Sequence, residues 1–334
     1  MRQRLFSLVL VLAACGGKQK HVDTVPLPPE PKQEEAKTEP EPKPAEPEKP
    51  AAPQGPLELK LEAAKPTVKL VSARKGTKAA VKVAPKAGAK QMVEVALDFQ
   101  GGQDGPPEAG GKQQQIAPTV VLAADVETKE VADGQSKFTL TISGVDAKDV
   151  TGAKVPAEQF KAELTSLLGA TIEGSVGANG STSDLTLKIE KPDPKSMEAL
   201  QLVKTVLLPM WPVLPDQPIG PGAKWTVTTT EKIADQLEVT KTVDYQLVSK
   251  KGGEWTIKGT AKMTGKDQDL QGAKIGAIGG AGSIDSVVTE GALVAKSTQK
   301  LATDFTITAG VNEQNPNGIQ VKFHIEQANA MTLK

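Results

Sequence analysis

A single cysteine, Cys15, serves the whole chain of 334 residues. With no second thiol there is no intramolecular disulfide, so an exported domain built from this chain must draw its stability from a packed core. Aromatic side chains are scarce, at 3%. The charges cancel, with 40 Lys and Arg against 40 Asp and Glu. Nucleic-acid binding requires a basic face or a set of stacking rings, and this composition offers neither. The only histidines, His21 and His324, have no obvious partner in the sequence. Neither a His-based triad nor a zinc site can be assembled from them. The apolar run near the N-terminus is well short of the roughly twenty residues that a membrane-spanning helix needs.

What that short run does carry is a signal. Arg2 and Arg4 precede Leu5 to Leu12, an apolar stretch interrupted only by Ser7, and the small residues Ala13 and Ala14 lead into Cys15. This is the layout of a secretory signal peptide over residues 1–14. The sequence Leu12-Ala13-Ala14-Cys15 resembles the bacterial lipobox, L-[AS]-[GA]-C. The resemblance implies cleavage before Cys15, diacylglycerol on its sulfur and a fatty acyl chain such as palmitate on the new N-terminus. Two or more acyl chains hold a protein firmly to a membrane, where one holds it only marginally. Gly16 follows the cysteine in place of Asp. By the enterobacterial sorting rule this implies the outer membrane, on its periplasmic or surface face.

Residues 15–56 then read as an acylated cysteine and a tether. From Lys18 to Pro56 the chain is dominated by Pro, Glu, Lys and Ala, with six Lys against seven Glu and Asp23. So few apolar side chains cannot repay the entropy of ordering, and the segment is expected to be disordered. Pro-rich chain is stiff, and fully extended it would reach on the order of 100 Å. The tether is expected to lift a domain away from the membrane.

Residues 57–334 are long enough for one large β domain. Val93, Val95, Leu97 and Phe99 alternate with polar or small residues, as do Phe138, Leu140 and Ile142. Leu185, Leu187 and Ile189 repeat the pattern, and so do Ile319, Val321, Phe323 and Ile325. A period of two predicts strands with one dry and one wet face, hence antiparallel sheet. LELKLE (57–62) and AVKV (80–83) are further candidate strands. Two helices are expected to cover the dry face. The first, 156–169, opens at Pro156, closes at Gly169 and presents Phe160, Leu164, Leu167 and Leu168. The second, 193–209, has Asp193 as N-cap, Pro194 at the first helical position, and Met197, Leu200, Val203 and Leu207 as its stripe. The expected class is therefore mainly β (α+β), a curved antiparallel sheet or open half-barrel with about two covering helices. An offset of 117 residues places VETKEV (126–131) on VDYQLV (243–248), Phe138-Thr139-Leu140 on Trp255-Thr256-Ile257, and Glu173-Gly174 on Glu290-Gly291. This points to an internally duplicated β module.

Chemistry-bearing motifs are thin. Asp267 and Asp269 before Gly272 form a fragment of a calcium loop without its third acidic position or its closing glutamate. GAIGGAG (276–282) lacks both the leading strand and the GK[ST] of a phosphate cradle, and is expected to be a flexible loop. No nucleophile–base pair can be assembled, so no enzyme, metal or cofactor is expected. LPMWPVLPDQPIGPGAKWTV (208–227) resembles a segment of uncharacterised exported β-rich lipoproteins, in which a Pro-rich turn precedes G-x-x-W and a strand. Trp211 and Trp225 are expected to plug the end of the sheet. The architecture also resembles the LolA/LolB lipoprotein carriers, without a matching motif. The expected function is a non-catalytic binding or scaffolding module in the envelope, its partner an unknown envelope protein. The alternative is a carrier of lipid or another hydrophobic ligand.

Cys15→Ser should abolish membrane attachment and leave an uncleaved precursor. Radiolabelled palmitate entering the variant protein would refute the lipobox assignment.

Overall fold

A computed structural model of the chain describes residues 55–62, 65–74, 78–183, 185–193, 196, 203, 211–233, 237–270, 272–311 and 317–334. Cys15, the tether up to residue 54, His21, Leu200 and most of the expected helix 193–209 lie outside the described residues. The first part of the fold comprises β1 (Leu57–Leu61), β2 (Thr67–Ser72), β3 (Lys90–Asp104), β4 (Gln113–Ile116) and β5 (Thr119–Ala132). It continues through β6 (Gln135–Lys148), helix α1 (Ala157–Leu164), β7 (Thr171–Gly177) and β8 (Leu185–Ile189). The second part comprises β9 (Lys224–Ile233), β10 (Leu237–Lys251), β11 (Glu254–Thr264) and β12 (Gln268–Leu270). It ends with β13 (Ala273–Thr289), β14 (Lys296–Ala309) and β15 (Ile319–Leu333).

These fifteen strands form one sheet, in which neighbours run in the order β1-β8-β7-β6-β5-β3-β15-β14-β13-β11-β10-β9-β2. Every pairing on this path is antiparallel. The mainly β class with a curved antiparallel sheet is thus what the chain adopts. Two strand runs share one plan: β3-β5-β6-β7-β8 and β9-β10-β11-β13-β14 are both meanders, joined through β15. The β5–β6 and β10–β11 hairpins turn at Asp133-Gly134 and Gly252-Gly253, each with two residues of positive φ. That backbone is what a tight two-residue hairpin requires. Turn to turn the shift is therefore two residues more than the offset of 117 suggested by the side chains. The offset fails further on, because Glu173-Gly174 lie inside β7 while Glu290-Gly291 lie beyond the end of β13.

Inward-facing side chains make three apolar clusters. The first joins β3 and β5–β8, including Leu122, Leu140, Ile142 and Leu187. The second joins β9–β11 around Trp225, Leu247 and Ile257. The third lies towards the opposite end of the same strands, around Val239, Met263, Ile275 and Phe305. Helix α1 covers the first cluster with Leu164, and the 3₁₀ turn that follows contributes Leu167. Asp149 Oδ1 accepts from the Ala157 N–H at 2.9 Å, a cap that Pro156 cannot supply. Leu168 departs from the expected stripe and is 50% exposed. Its backbone is already extended (φ −61, ψ 125), so the side chain swings outward. At the expected second helix, Ser196 and Val203 are helical and buried, and Val203 joins the first cluster. Asp193 caps it reciprocally: its N–H donates to Ser196 Oγ at 2.7 Å, and that hydroxyl donates to Asp193 Oδ1 at 2.9 Å.

Two expectations are corrected. GAIGGAG is no loop but the middle of β13, paired with β11 on one side and β14 on the other. Glycine is needed there for close approach, since a Cβ on Gly282 would collide with the Lys300 carbonyl oxygen and one on Gly280 with that of Ala302. The register slips between Gly276 and Gly279, a bulge that increases the local bend. AVKV at 80–83 is not a ladder strand either. It is an extended crossing whose Val81 belongs to the second cluster and Val83 to the first.

That crossing sets the curvature. Ala79 and Ile219 exchange backbone hydrogen bonds of 3.0 and 3.1 Å, and the Val83 N–H donates to the Ala178 carbonyl at 2.8 Å. Ile219 lies just before β9 and Ala178 just after β7, nine strand positions apart on the path. Nine positions in a flat sheet span about 43 Å. Four residues of extended chain from Ala79 to Val83 reach only about 14 Å. The sheet must therefore curl until its two ends face each other.

A second crossing doubles the clasp. The Leu214 N–H donates to the Asn179 carbonyl at 2.8 Å, so residues 211–214 also pass from the first cluster to the second. Trp211 and Trp225 are both buried at this end. The Trp211 indole N–H donates to the Leu293 carbonyl at 2.7 Å, with its ring 5.2 Å from Phe138. Trp225 stacks on Tyr245 at 5.4 Å and donates to the Val213 carbonyl at 2.9 Å. Trp211→Ala should cost about 3–5 kcal/mol, seen as a lower urea midpoint, and Trp211→Phe should cost less. A loss below about 1 kcal/mol for the alanine variant would show that the clasp does not depend on this ring.

Candidate functional site on the inner face of the sheet

The inner face is not covered evenly. On β15 the residues Ile319, Val321, Phe323 and Ile325 point inward with the buried Met331, yet each is only partly buried. Their neighbours on β14, Phe305 and Ile307, are buried, and Phe305 stacks on Phe323 at 5.2 Å. The cause lies on the other flank. β3 sets Gly101 opposite Ile325, with the Phe99 ring 3.5 Å from where a Cβ on Gly101 would stand. Beyond Leu97, β3 also gives up its pairing with β5, and the short β4 takes over from Gln100 to Gln103. The result is an apolar strip of four residues between the first and third clusters.

The strip changes character along the strand. Below Ile325 the inward residues are Gln327 and Asn329, with Gln299 of β14 opposite Asn329. The Gln327 amide donates to Asn329 Oδ1 at 3.1 Å. The Asn329 side-chain nitrogen is buried with no hydrogen-bond partner among the described residues. A buried amide donor of this kind is rare in folded proteins and marks unused hydrogen-bonding capacity. Elsewhere on the inner face, Lys241 of β10 points inward and pairs with Glu231 of β9 at 3.3 Å. The site thus offers a greasy track with amides at one end. It resembles the lining of small-molecule sites, mostly apolar with a few placed polar groups.

The outer face of β10, β11 and β13–β15 is rich in charge. Glu238, Lys258, Lys262, Lys274, Asp285, Lys300, Lys322 and Glu326 all point away from the clusters and are exposed. Transmembrane barrels show the opposite alternation, apolar outside and polar inside. This sheet turns its charges to water.

Of the residues marked in the sequence, Cys15 lies outside the described residues. Asp267 pairs with Lys274 at 3.7 Å across the β12–β13 hairpin, and Asp269 is exposed on β12. His324 is on the wet face as expected, but it does have partners. Its Nδ1 lies 2.7 Å from Asp304 Oδ1 and its Nε2 lies 3.0 Å from Glu326 Oε1. Glu326, two residues along the same strand, was within reach of sequence reasoning. Asp304 was not, because only the β14–β15 register sets it opposite His324. The inner strip itself was visible as alternation, whereas its partial exposure belongs to the folded sheet.

No protein family model matches the chain. No curated protein matches it. Among solved structures it is similar to OpdQ of Pseudomonas aeruginosa, with 8% identity, 73% of this chain and 98% of that chain covered, and a TM-score of 0.18. An outer membrane channel from Pseudomonas putida F1 is 8% identical, with 75% and 97% covered and a TM-score of 0.16. OmpT, an outer membrane protein of Vibrio cholerae, is 9% identical, with 74% and 100% covered and a TM-score of 0.16. Likenesses this weak carry no argument about fold or function.

The hydrogen bonds that the imidazole N–H groups donate to the Glu326 and Asp304 carboxylates raise the His324 pKa above its ordinary value of 6.5. A raised folded-state pKa means that the stabilisation is fully present below the ordinary value and is lost as the pH rises through the raised one. An NMR titration of the imidazole should give a value above 6.5 that falls back in the double variant Asp304→Asn, Glu326→Gln. An unchanged titration in that variant would remove the assignment.

Proposed function

We propose that this chain is a lipid-anchored protein of the cell envelope that binds without catalysis, and that its ligand is a hydrophobic molecule with a polar end. The anchor is Cys15, the tether carries the domain away from the membrane, and the inner face of β15 holds the ligand. One observation carries the reading: the graded inner surface of β15, apolar and half-covered from Ile319 to Ile325, then amide-bearing at Gln327 and Asn329. An acyl chain or similar apolar body lies along Phe323 and Ile325, which loses little to water because both are already partly dry. Its polar end meets the Gln327 amide. The outer membrane is the proposed location, on the strength of Gly16 after the cysteine.

A scaffolding role is the second reading, favoured by the packed clasp around Trp211 and Trp225 and by the charged outer face. A fluorescent fatty-acid probe separates the two, using purified residues 55–334. Saturable, competable binding at about micromolar concentration, weakened by Val321→Gln, is the expected result. An absence of binding from a protein that still unfolds cooperatively would reject the carrier reading and leave the scaffold.

A further inference from the structure

Hydrogen-bond donors outnumber acceptors at the polar end of the β15 strip. The Gln327 side-chain nitrogen gives one N–H to Asn329 Oδ1 at 3.1 Å, and an amide nitrogen has a second to give. The Asn329 side-chain nitrogen is buried without an acceptor among the described residues. Thr303 of β14 stands opposite Ile325 and is only 6% exposed. Its hydroxyl donates to Met263 Sδ at 3.6 Å, and a thioether is a weak acceptor. Thr303 and Asn329 thus bracket Gln327 along the strands, and all three can give more than they now do. A molecule bound here is recognised by what it accepts.

Charge supplies an independent limit. Among the described residues, no inward position of β3, β13, β14 or β15 carries a charge. The inward-facing Lys241 stands on β10, four places from β15 on the path, which is about 19 Å along the sheet. Glu231 already neutralises it at 3.3 Å. A carboxylate or phosphate at Gln327 would give up water and gain no counter-charge, which is costly. An uncharged carbonyl loses far less on leaving water and accepts from the same N–H groups. Length fits the remainder of such a molecule. Six residue steps from Ile319 to Ile325 make about 20 Å of apolar strand. One leaflet of a membrane is half of a hydrocarbon core about 30 Å thick, so a single acyl chain lies along the strip.

Resting on the reading of β15 as a ligand strip, we propose that the site selects an uncharged acyl compound, with an ester or amide carbonyl as its head, over a free fatty acid. The acyl chain lies on Ile319, Val321, Phe323 and Ile325, and the carbonyl oxygen accepts from the second N–H of Gln327. Asn329 holds the Gln327 amide in place through the hydrogen bond it accepts. Selectivity comes from what is missing: with no cation on these four strands, an anionic head has nothing to pair with.

Photo-crosslinking tests it on the full-length chain in a nonionic detergent. The probes are palmitoyl chains with a diazirine near the tail, offered as methyl ester, primary amide and free carboxylate at equal mole fractions in the micelles. At about pH 8 the carboxyl group is ionised. Mass spectrometry then locates the label. The expected result is saturable labelling of β14 and β15 by the ester and the amide, half-complete at a mole fraction at least roughly tenfold lower than for the carboxylate. The ratio of ester to amide labelling tells which of the two carbonyls the site prefers. Gln327→Lys, with its circular dichroism spectrum kept, should reverse the order and favour the carboxylate. If that variant does not fold, the comparison in the unaltered protein decides. Saturable labelling of β15 with the carboxylate equal to or ahead of the ester would overturn the selectivity and leave the strip a ligand site. No saturable labelling of β15 by any probe would overturn the ligand site itself, and the selectivity with it.

Discussion

Everything inside this protein depends on a tie of four residue steps. Between Ala79 and Val83 the chain spans from the start of β9 to the end of β7, held by backbone hydrogen bonds at both ends. A chain this short cannot bridge nine strand positions of a flat sheet, so the sheet bends until its two ends face each other. The bend creates an inside. Side chains that would face water on one surface of an open sheet instead face each other, and the clusters of buried Leu, Ile, Val and Trp residues follow from that.

The same tie explains where the interior is complete and where it is not. Close to the clasp the crossings 79–83 and 211–214, the two tryptophans and the 293–294 loop fill the space, with Gln91 accepting from both the Leu293 and Val294 N–H groups. Far from the clasp the inner face of β15 is only partly covered. Elsewhere at that end the third cluster is buried, so the partial cover is confined to β15 and its β3 flank.

Much of the fold was legible because strands announce themselves locally. Phe138, Leu140 and Ile142, or Leu185, Leu187 and Ile189, alternate over a few residues, and the alternation alone separates a dry face from a wet one. The misreadings share a cause. GAIGGAG has no side chains with which to alternate, so a strand whose glycines serve close backbone approach looked like a loop. AVKV does alternate, yet it pairs with no strand because its two valines serve two different clusters. Leu168 stood in the helical stripe by spacing, and the backbone turned extended one residue too early.

By itself, the sequence determined the exclusion of an intramolecular disulfide and the antiparallel sheet with its dry side. These are properties of single residues and of short periods. Only the tertiary structure decided that the strands form one curled path, that Asp304 stands against His324, and that Gly101 faces Ile325 across the ladder. Each of these depends on backbone hydrogen bonds between residues far apart in the chain. Alternation tells a strand which face is dry, but any number of partners and registers satisfy it equally. The choice among them is made by loop lengths, bulges and the short crossings that pull distant strands together.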